Sequence, residues 1–194
     1  MTRRPITRRE AIRAAGLLTA ALAAVLWSGQ APARSGGGID LPRRIAEAAA
    51  TGKRFAVVWE QKGCPYCRRM DDQYLSDPRI SGWISSHFVL VVLDLHGTRM
   101  VTDFDGSRQS ESRLGQKYAI HVTPTIQFLP KDPAAVAGRS GPDIESARMP
   151  GLLEADDFLS MFQWVAEGQR EDFAAFARRR AHPQPALPHP GGGP

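Results

Sequence analysis

A chain of 194 residues, 42% of them hydrophobic and 23% charged, has room for one ordinary domain with a buried core. The formal net charge of +5 at pH 7 sits at the start: residues 1–33 hold five of the 25 basic and one of the 20 acidic residues, leaving 20 against 19, a net of +1, for the rest. That near balance removes the charge argument for nucleic-acid binding.

Taken in chain order, Thr7-Arg8-Arg9-Glu10-Ala11-Ile12-Arg13 leads into an alanine-rich apolar run, Ala14 to Trp27, and then Ala31-Pro32-Ala33. Paired arginines, a short apolar stretch and a small-x-small site predict a twin-arginine export signal over residues 1–33, cleaved after Ala33. The run falls short of the ~20 apolar residues of a membrane span, so no stable membrane insertion is expected after cleavage. Export places the protein in the bacterial periplasm, where a disulfide persists. The domain is expected over residues 34–180, with its core at about 39–168. Residues 181–194, dominated by Pro and Gly, are expected to be disordered.

Asp40 can cap a first helix carrying Pro42 and stopping at Gly52. Phe55 to Trp59 reads as a strand, and a helix begins at Cys64 and runs past Met70, Tyr74 and Leu75 to the break at Asp77-Pro78. Ile80, Trp83 and Ile84 mark another helical turn. The unbroken apolar run His87 to Leu95 predicts a strand covered on both faces. A small hairpin is expected within residues 96–110, turning at Asp105-Gly106, then a helix from Ser110 to Tyr118 with Leu114 inward. Thr125 to Leu129 is a strand entered through Pro124. Arg148 to Gly151 reads as a turn into a final helix lined by Phe158, Met161, Phe162 and Val165, followed by one or two further helical turns around Phe173 and Phe176. Helices alternating with strands give an α/β fold, a central mixed sheet with helices on both faces.

The chemistry is carried by Glu60-Gln-Lys-Gly-Cys64-Pro65-Tyr66-Cys67-Arg68-Arg69, which holds both cysteines. Structural zinc needs two more ligands, and His87 and His96 lie on either side of a strand. Covalent haem needs His where Arg68 stands. A structural disulfide across so short a loop removes little entropy from the unfolded chain. A reactive dithiol is left standing, without metal or cofactor. Cys64 at a helix start faces unpaired backbone N–H groups, with Lys62, Arg68 and Arg69 adding positive potential, and all of these favour its thiolate. Pro65 suits the first helical turn, while Cys67, one turn in, acts second.

Cys64-Pro65-Tyr66-Cys67 after an apolar strand, Thr123-Pro124-Thr125 opening a later one and Pro150-Gly151 before the last helix resemble the thioredoxin fold. Met70 after the cysteines, Val91-Val92-Leu93-Asp94, Lys117-Tyr118 and Met149-Pro150-Gly151-Leu152 make the chain similar to the periplasmic thioredoxins of SoxW type, found with bacterial sulfur-oxidation clusters.

The resemblance implies that Pro124 is cis and lies against the cysteines, with the Thr123 backbone pairing with an extended substrate segment and Gly151 in the same groove. It implies a monomeric thiol–disulfide oxidoreductase that reduces protein disulfides, including those of a sulfur-carrier partner, and is itself reduced by a membrane electron-donor protein. One position departs from the family: its buried Asp, six residues before the first cysteine, is Val58 here. Glu60, two residues on and on the same strand face, is the candidate to take over its proton-transfer role. Alternatives are a dithiol oxidase, a Cu(I)-binding or copper-delivery module using Cys64, Cys67 and His121, and an interaction scaffold with no chemistry.

Overall fold

The computed structural model describes residues 38–181. The expected export signal lies outside these residues, as does the expected tail apart from Ala181.

Strand β1 (Ile39–Asp40) leads directly into helix α1 (Leu41–Ala50), whose cap is the Asp40 carboxylate accepting the Arg43 N–H at 2.9 Å. Pro42 stands in the first helical turn, where its missing N–H loses no bond. Next come β2 (Arg54–Glu60), α2 (Pro65–Arg69), a π-helical segment at Met70–Leu75, α3 (Pro78–His87) and β3 (Phe88–Asp94). A hairpin of β4 (Met100–Thr102) and β5 (Arg108–Ser110) precedes α4 (Glu111–Lys117). Then follow β6 (Thr125–Phe128), two short 3-10 turns, β7 (Ala147–Pro150), α5 (Ala155–Ala166) and α6 (Phe173–Ala181).

Four strands form the main sheet in the order β3-β2-β6-β7, with β2 parallel to β3 and the other pairs antiparallel. Because side chains alternate across a strand, Phe55, Val57 and Trp59 of β2 pack with Leu41, Ile45, Leu114 and Tyr118 on one face. Ala56 and Val58 pack with Met70, Tyr74, Ile84, Phe158 and Phe162 on the other. The sheet is thus covered by α1 and α4 on one side and by the π-helical segment, α3 and α5 on the other.

Two sequence expectations need correction. The apolar run at 87–95 is covered on both faces over most of its length, Val91 and Leu93 packing into one core and Phe88 into the other. Coverage fails at Val92, 48% exposed, and among the described residues β3 is an edge strand, bonded in the sheet only to β2. An apolar run reports hydrophobicity but not sheet position, and His87 closes α3, its ring stacked on Trp83 at 4.0 Å. Arg148-Met149-Pro150 is a strand rather than a turn, since Pro150 sits at the end of an edge strand where a lost N–H costs no ladder bond.

The outer edge of β3 is closed by side chains near its end. Buried Glu111 accepts the backbone N–H of Asp94 at 3.0 Å and of Arg99 at 3.2 Å, while Arg99 bonds both Glu111 and the Val92 carbonyl. Such occupation of an edge works against pairing with another chain. Gly97 is required beside it, because a Cβ there would overlap the Glu111 carboxylate. The expected hairpin is present, but it joins β1 in a second, three-stranded sheet of order β1-β4-β5. Lys117 of α4 holds it, donating to Asp103 and Asp105 at 2.7 Å each. Past the expected core limit, α6 still packs: Phe176 is buried, and Phe173 meets Trp164 edge-on at 5.7 Å.

Candidate functional site

The end of β2 delivers the cysteine loop. Gly63, at φ +83°, makes the turn that few other residues adopt, and Cys64 enters with its N–H on the Gln61 carbonyl at 3.2 Å. Extended at φ −70° and ψ 115°, Cys64 is the N-cap of α2, and its Sγ accepts the Cys67 N–H at 3.1 Å. Sulfur here performs the task that Ser or Asp performs at other helix starts. The two residues form a disulfide across a Cα separation of 5.3 Å. Both side chains are nearly enclosed, and Tyr66 between them is 58% exposed.

From the other side comes the loop between α4 and β6. The Thr123–Pro124 peptide is cis, Pro124 is buried, and the Thr123 carbonyl oxygen lies 3.4 Å from Cys64 Sγ. The Thr125 hydroxyl donates to the Val122 carbonyl at 2.8 Å, tightening this corner. Gly151, at φ +78°, donates its N–H to the Pro124 carbonyl at 2.8 Å. Three segments far apart in sequence, around Cys64, Pro124 and Gly151, therefore meet through backbone bonds. Val122, 49% exposed, joins Tyr66 as an exposed apolar side chain of these segments.

The charges divide. Lys62 and Arg68 are exposed and form no salt bridge among the described residues, whereas Arg69 pairs with Glu154 at 3.0 Å and lies 5.7 Å from the Tyr74 ring centroid. Arg69 is therefore committed to fixing α2 against the approach to α5, and its expected contribution to the positive potential is reduced. Val58 is buried with Met70 and Tyr74 as neighbours in the core, with no polar function. Glu60 is half-buried at the end of β2, on the Val58 face, in a cleft shared with Lys62, Val92, Asp94 and Arg99. Burial, then the Asp71 and Asp94 charges, push its carboxyl above the ordinary value. Asp71 stands one turn beyond Cys67 and was not singled out from the sequence, where nothing local ties it to Glu60. His121 is exposed, and among the described residues no three His, Cys, Asp or Glu side chains gather as a metal site requires.

A dithiol–disulfide pair whose first sulfur receives an amide N–H and faces a free-standing carbonyl can accept attack, or attack in turn, at one exposed edge. This is the arrangement of a thiol–disulfide oxidoreductase. The model of the thioredoxin-like domain matches residues 41–166. No curated protein matches. Among solved structures, a thioredoxin-fold protein from Helicobacter pylori is similar at 20% identity and a TM-score of 0.54, over 66% of this chain and 84% of that one, which shows the fold. A Thermus thermophilus thioredoxin aligns at 25% identity, TM-score 0.49, over 67% of this chain and 88% of that one. The periplasmic thioredoxin SoxS of Paracoccus pantotrophus, in reduced form, aligns at 19% identity, TM-score 0.36, over 61% and 100%. With its α/β sheet, its cysteine pair and a family match spanning residues 41–166, this chain belongs to the thioredoxin-like family.

Proposed function

We propose that this chain is a periplasmic protein-disulfide reductase of SoxW type. The observation that carries the chemistry is the placement of Cys64 Sγ, 3.1 Å from the Cys67 N–H and 3.4 Å from the Thr123 carbonyl. An N–H directed at sulfur stabilises the thiolate over the thiol, and a carbonyl beside it offers a docking bond to an extended substrate segment. The twin-arginine pattern supports the compartment, and among the described residues no helix is long and apolar enough to cross a membrane.

In the reduced protein the Cys64 thiolate attacks one sulfur of the partner's disulfide. A Cys64–partner bond forms, the partner's S–S bond breaks, and its first thiolate leaves to take a proton from water. Cys67 then loses its proton and attacks Cys64 sulfur, releasing the second partner thiolate. The partner gains two electrons and two protons in total, and Cys64–Cys67 becomes the disulfide. A membrane electron-donor protein restores the dithiol, and the substrates include a sulfur-carrier partner. Pro65 and Tyr66 shape the edge, Arg68 adds positive potential, and Thr123, Pro124 and Gly151 form the groove.

Equilibration with glutathione tests the direction: a potential between about −270 and −200 mV is expected for a reductant, whereas one near −120 mV would make the protein an oxidant.

Glu60 is the acceptor for the Cys67 proton, in place of the carboxylate absent at Val58. Its raised carboxyl value has a thermodynamic consequence. A group protonated more readily when folded contributes stability below its unfolded value, and that contribution is lost as pH rises through the folded value. Glu60→Gln is therefore expected to raise the melting temperature at pH 8, with the difference vanishing below pH ~4, and to slow resolution of the mixed disulfide. Wild-type resolution rates in the variant across pH 6–9 would remove Glu60 from the mechanism.

A further inference from the structure

Behind the groove, on the face of the sheet opposite α2, runs a chain of polar contacts that the exchange chemistry leaves unused. Trp59 Nε1, buried, donates to the side-chain oxygen of buried Gln127, and the Gln127 amide donates to Glu145. Glu145, itself 6% exposed, holds Arg148 by two bonds, from Nε at 2.8 Å and from Nη2. Arg148 lies directly across from Gln127 in the β6–β7 register. Its guanidinium spends its remaining donors on the end of α4: Nη2 to the Tyr118 carbonyl at 2.6 Å and Nη1 to the Ala119 carbonyl at 3.0 Å.

Those carbonyls belong to the start of the loop that ends at Thr123. Ala119 is held at φ +51°, a left-handed conformation that non-glycine residues seldom adopt. Ile120 follows, buried in the α1–α4 core, and three residues later the Thr123 carbonyl reaches Cys64. The loop is thus fixed at its far end by the Thr125 hydroxyl and at its near end by Arg148. The last carbonyls of α4 are met by its own chain, from the N–H groups of Tyr118, Ala119 and Ile120; the next two carbonyls, of Tyr118 and Ala119, are taken by a side chain from the strand next to the groove. Only a planar fork of donors can grip a carboxylate and two carbonyls at once.

We propose that Arg148 and Glu145 are positioning residues for substrate docking: they set the place of the Thr123 carbonyl through the 119–123 loop, without touching either cysteine. This rests on the reading of the chain as a protein-disulfide reductase. Pairing with an extended protein segment needs the carbonyl in place, whereas a small linear disulfide needs only the Cys64 sulfur.

The test measures insulin and hydroxyethyl disulfide reduction by the full chain as wild type, Arg148→Met, Arg148→Lys and Glu145→Gln. For Arg148→Met, the ratio of kcat/KM on insulin to that on hydroxyethyl disulfide is expected to fall about tenfold, mainly through KM, as expected when backbone docking is loosened. Arg148→Lys, which keeps the charge but not the fork, is expected to fall nearly as far. If Arg148→Met fails to fold, the lysine and Glu145→Gln variants decide by the same ratio. An active wild type whose variants lose both activities in proportion, or neither, overturns the clamp alone. A wild type inert towards both disulfides overturns the reductase reading, and the clamp with it.

Discussion

Cys64→Ser is expected to lower protein-disulfide reduction by about a thousandfold or more, because the attacking atom itself is removed. A hydroxyl at the same N-cap can accept the Cys67 N–H, so the helix start survives and circular dichroism should not change. Cys67→Ser behaves differently. Its Cys64 still attacks but nothing resolves the adduct, so the protein accumulates as a mixed disulfide with its partner, which can then be isolated and identified. The pair of variants separates the two roles: retention of more than a tenth of the activity by Cys64→Ser, or trapping through Cys67 instead of Cys64, would reverse the assignment of attacker and resolver.

The second large effect concerns the fold. Phe162 of α5 is fully buried, with ring centroids 5.1 Å from Phe88, 5.0 Å from Phe128 and 5.3 Å from Phe158, the first two edge-on. It joins the edge strand β3, the inner strand β6 and its own helix in a single cluster. Phe162→Ala removes the ring from all three at once, and its neighbours lie on rigid elements that cannot close the gap. The cost is expected at ~3–5 kcal/mol, a large share of the ~5–15 kcal/mol that stabilises a domain, lowering Tm by roughly 10 °C. Val92→Ala, at the exposed position of β3, is expected to stay within about 0.5 kcal/mol. Urea denaturation of both variants checks the contrast, and equal effects would mean that the core lies elsewhere.

How far the sequence carried these conclusions depended on how local each signal was. The Asp40 cap, the β2 run and the placement of Cys64 at a helix start are set by residues within one or two turns of each other, and all are found as read. The same holds for the hairpin turning at Asp105-Gly106. What was not legible needed distant partners. An apolar stretch such as 88–94 looks the same in the middle of a sheet as at its edge, and nothing in it marks Val92 as the side chain left 48% exposed. Arg148-Met149-Pro150 resembled a turn because its proline is followed directly by Gly151, yet β6 recruits it as a strand. The π-helical segment at Met70–Leu75 has no composition that sets it apart from an ordinary helix.

The site shows the same division. Cys64, Cys67, Pro124 and Gly151 could be named from motifs, and the structure brings them together. The hydrogen bonds linking Trp59, Gln127, Glu145 and Arg148 could not, since a glutamine in an apolar strand and an arginine before a Met-Pro-Gly sequence gain meaning only when the register sets them side by side. Arg69 illustrates the converse: its charge near the cysteines was visible in sequence, but the Glu154 partner that occupies it was not.

The account stands on Cys64 being held as an anion by its surroundings, and alkylation of the reduced protein by iodoacetamide across pH 4–10, with Cys64→Ser as the blank, measures this directly. A midpoint below pH ~7.5 is predicted; a midpoint at the free-cysteine value near 8.5 would contradict the account.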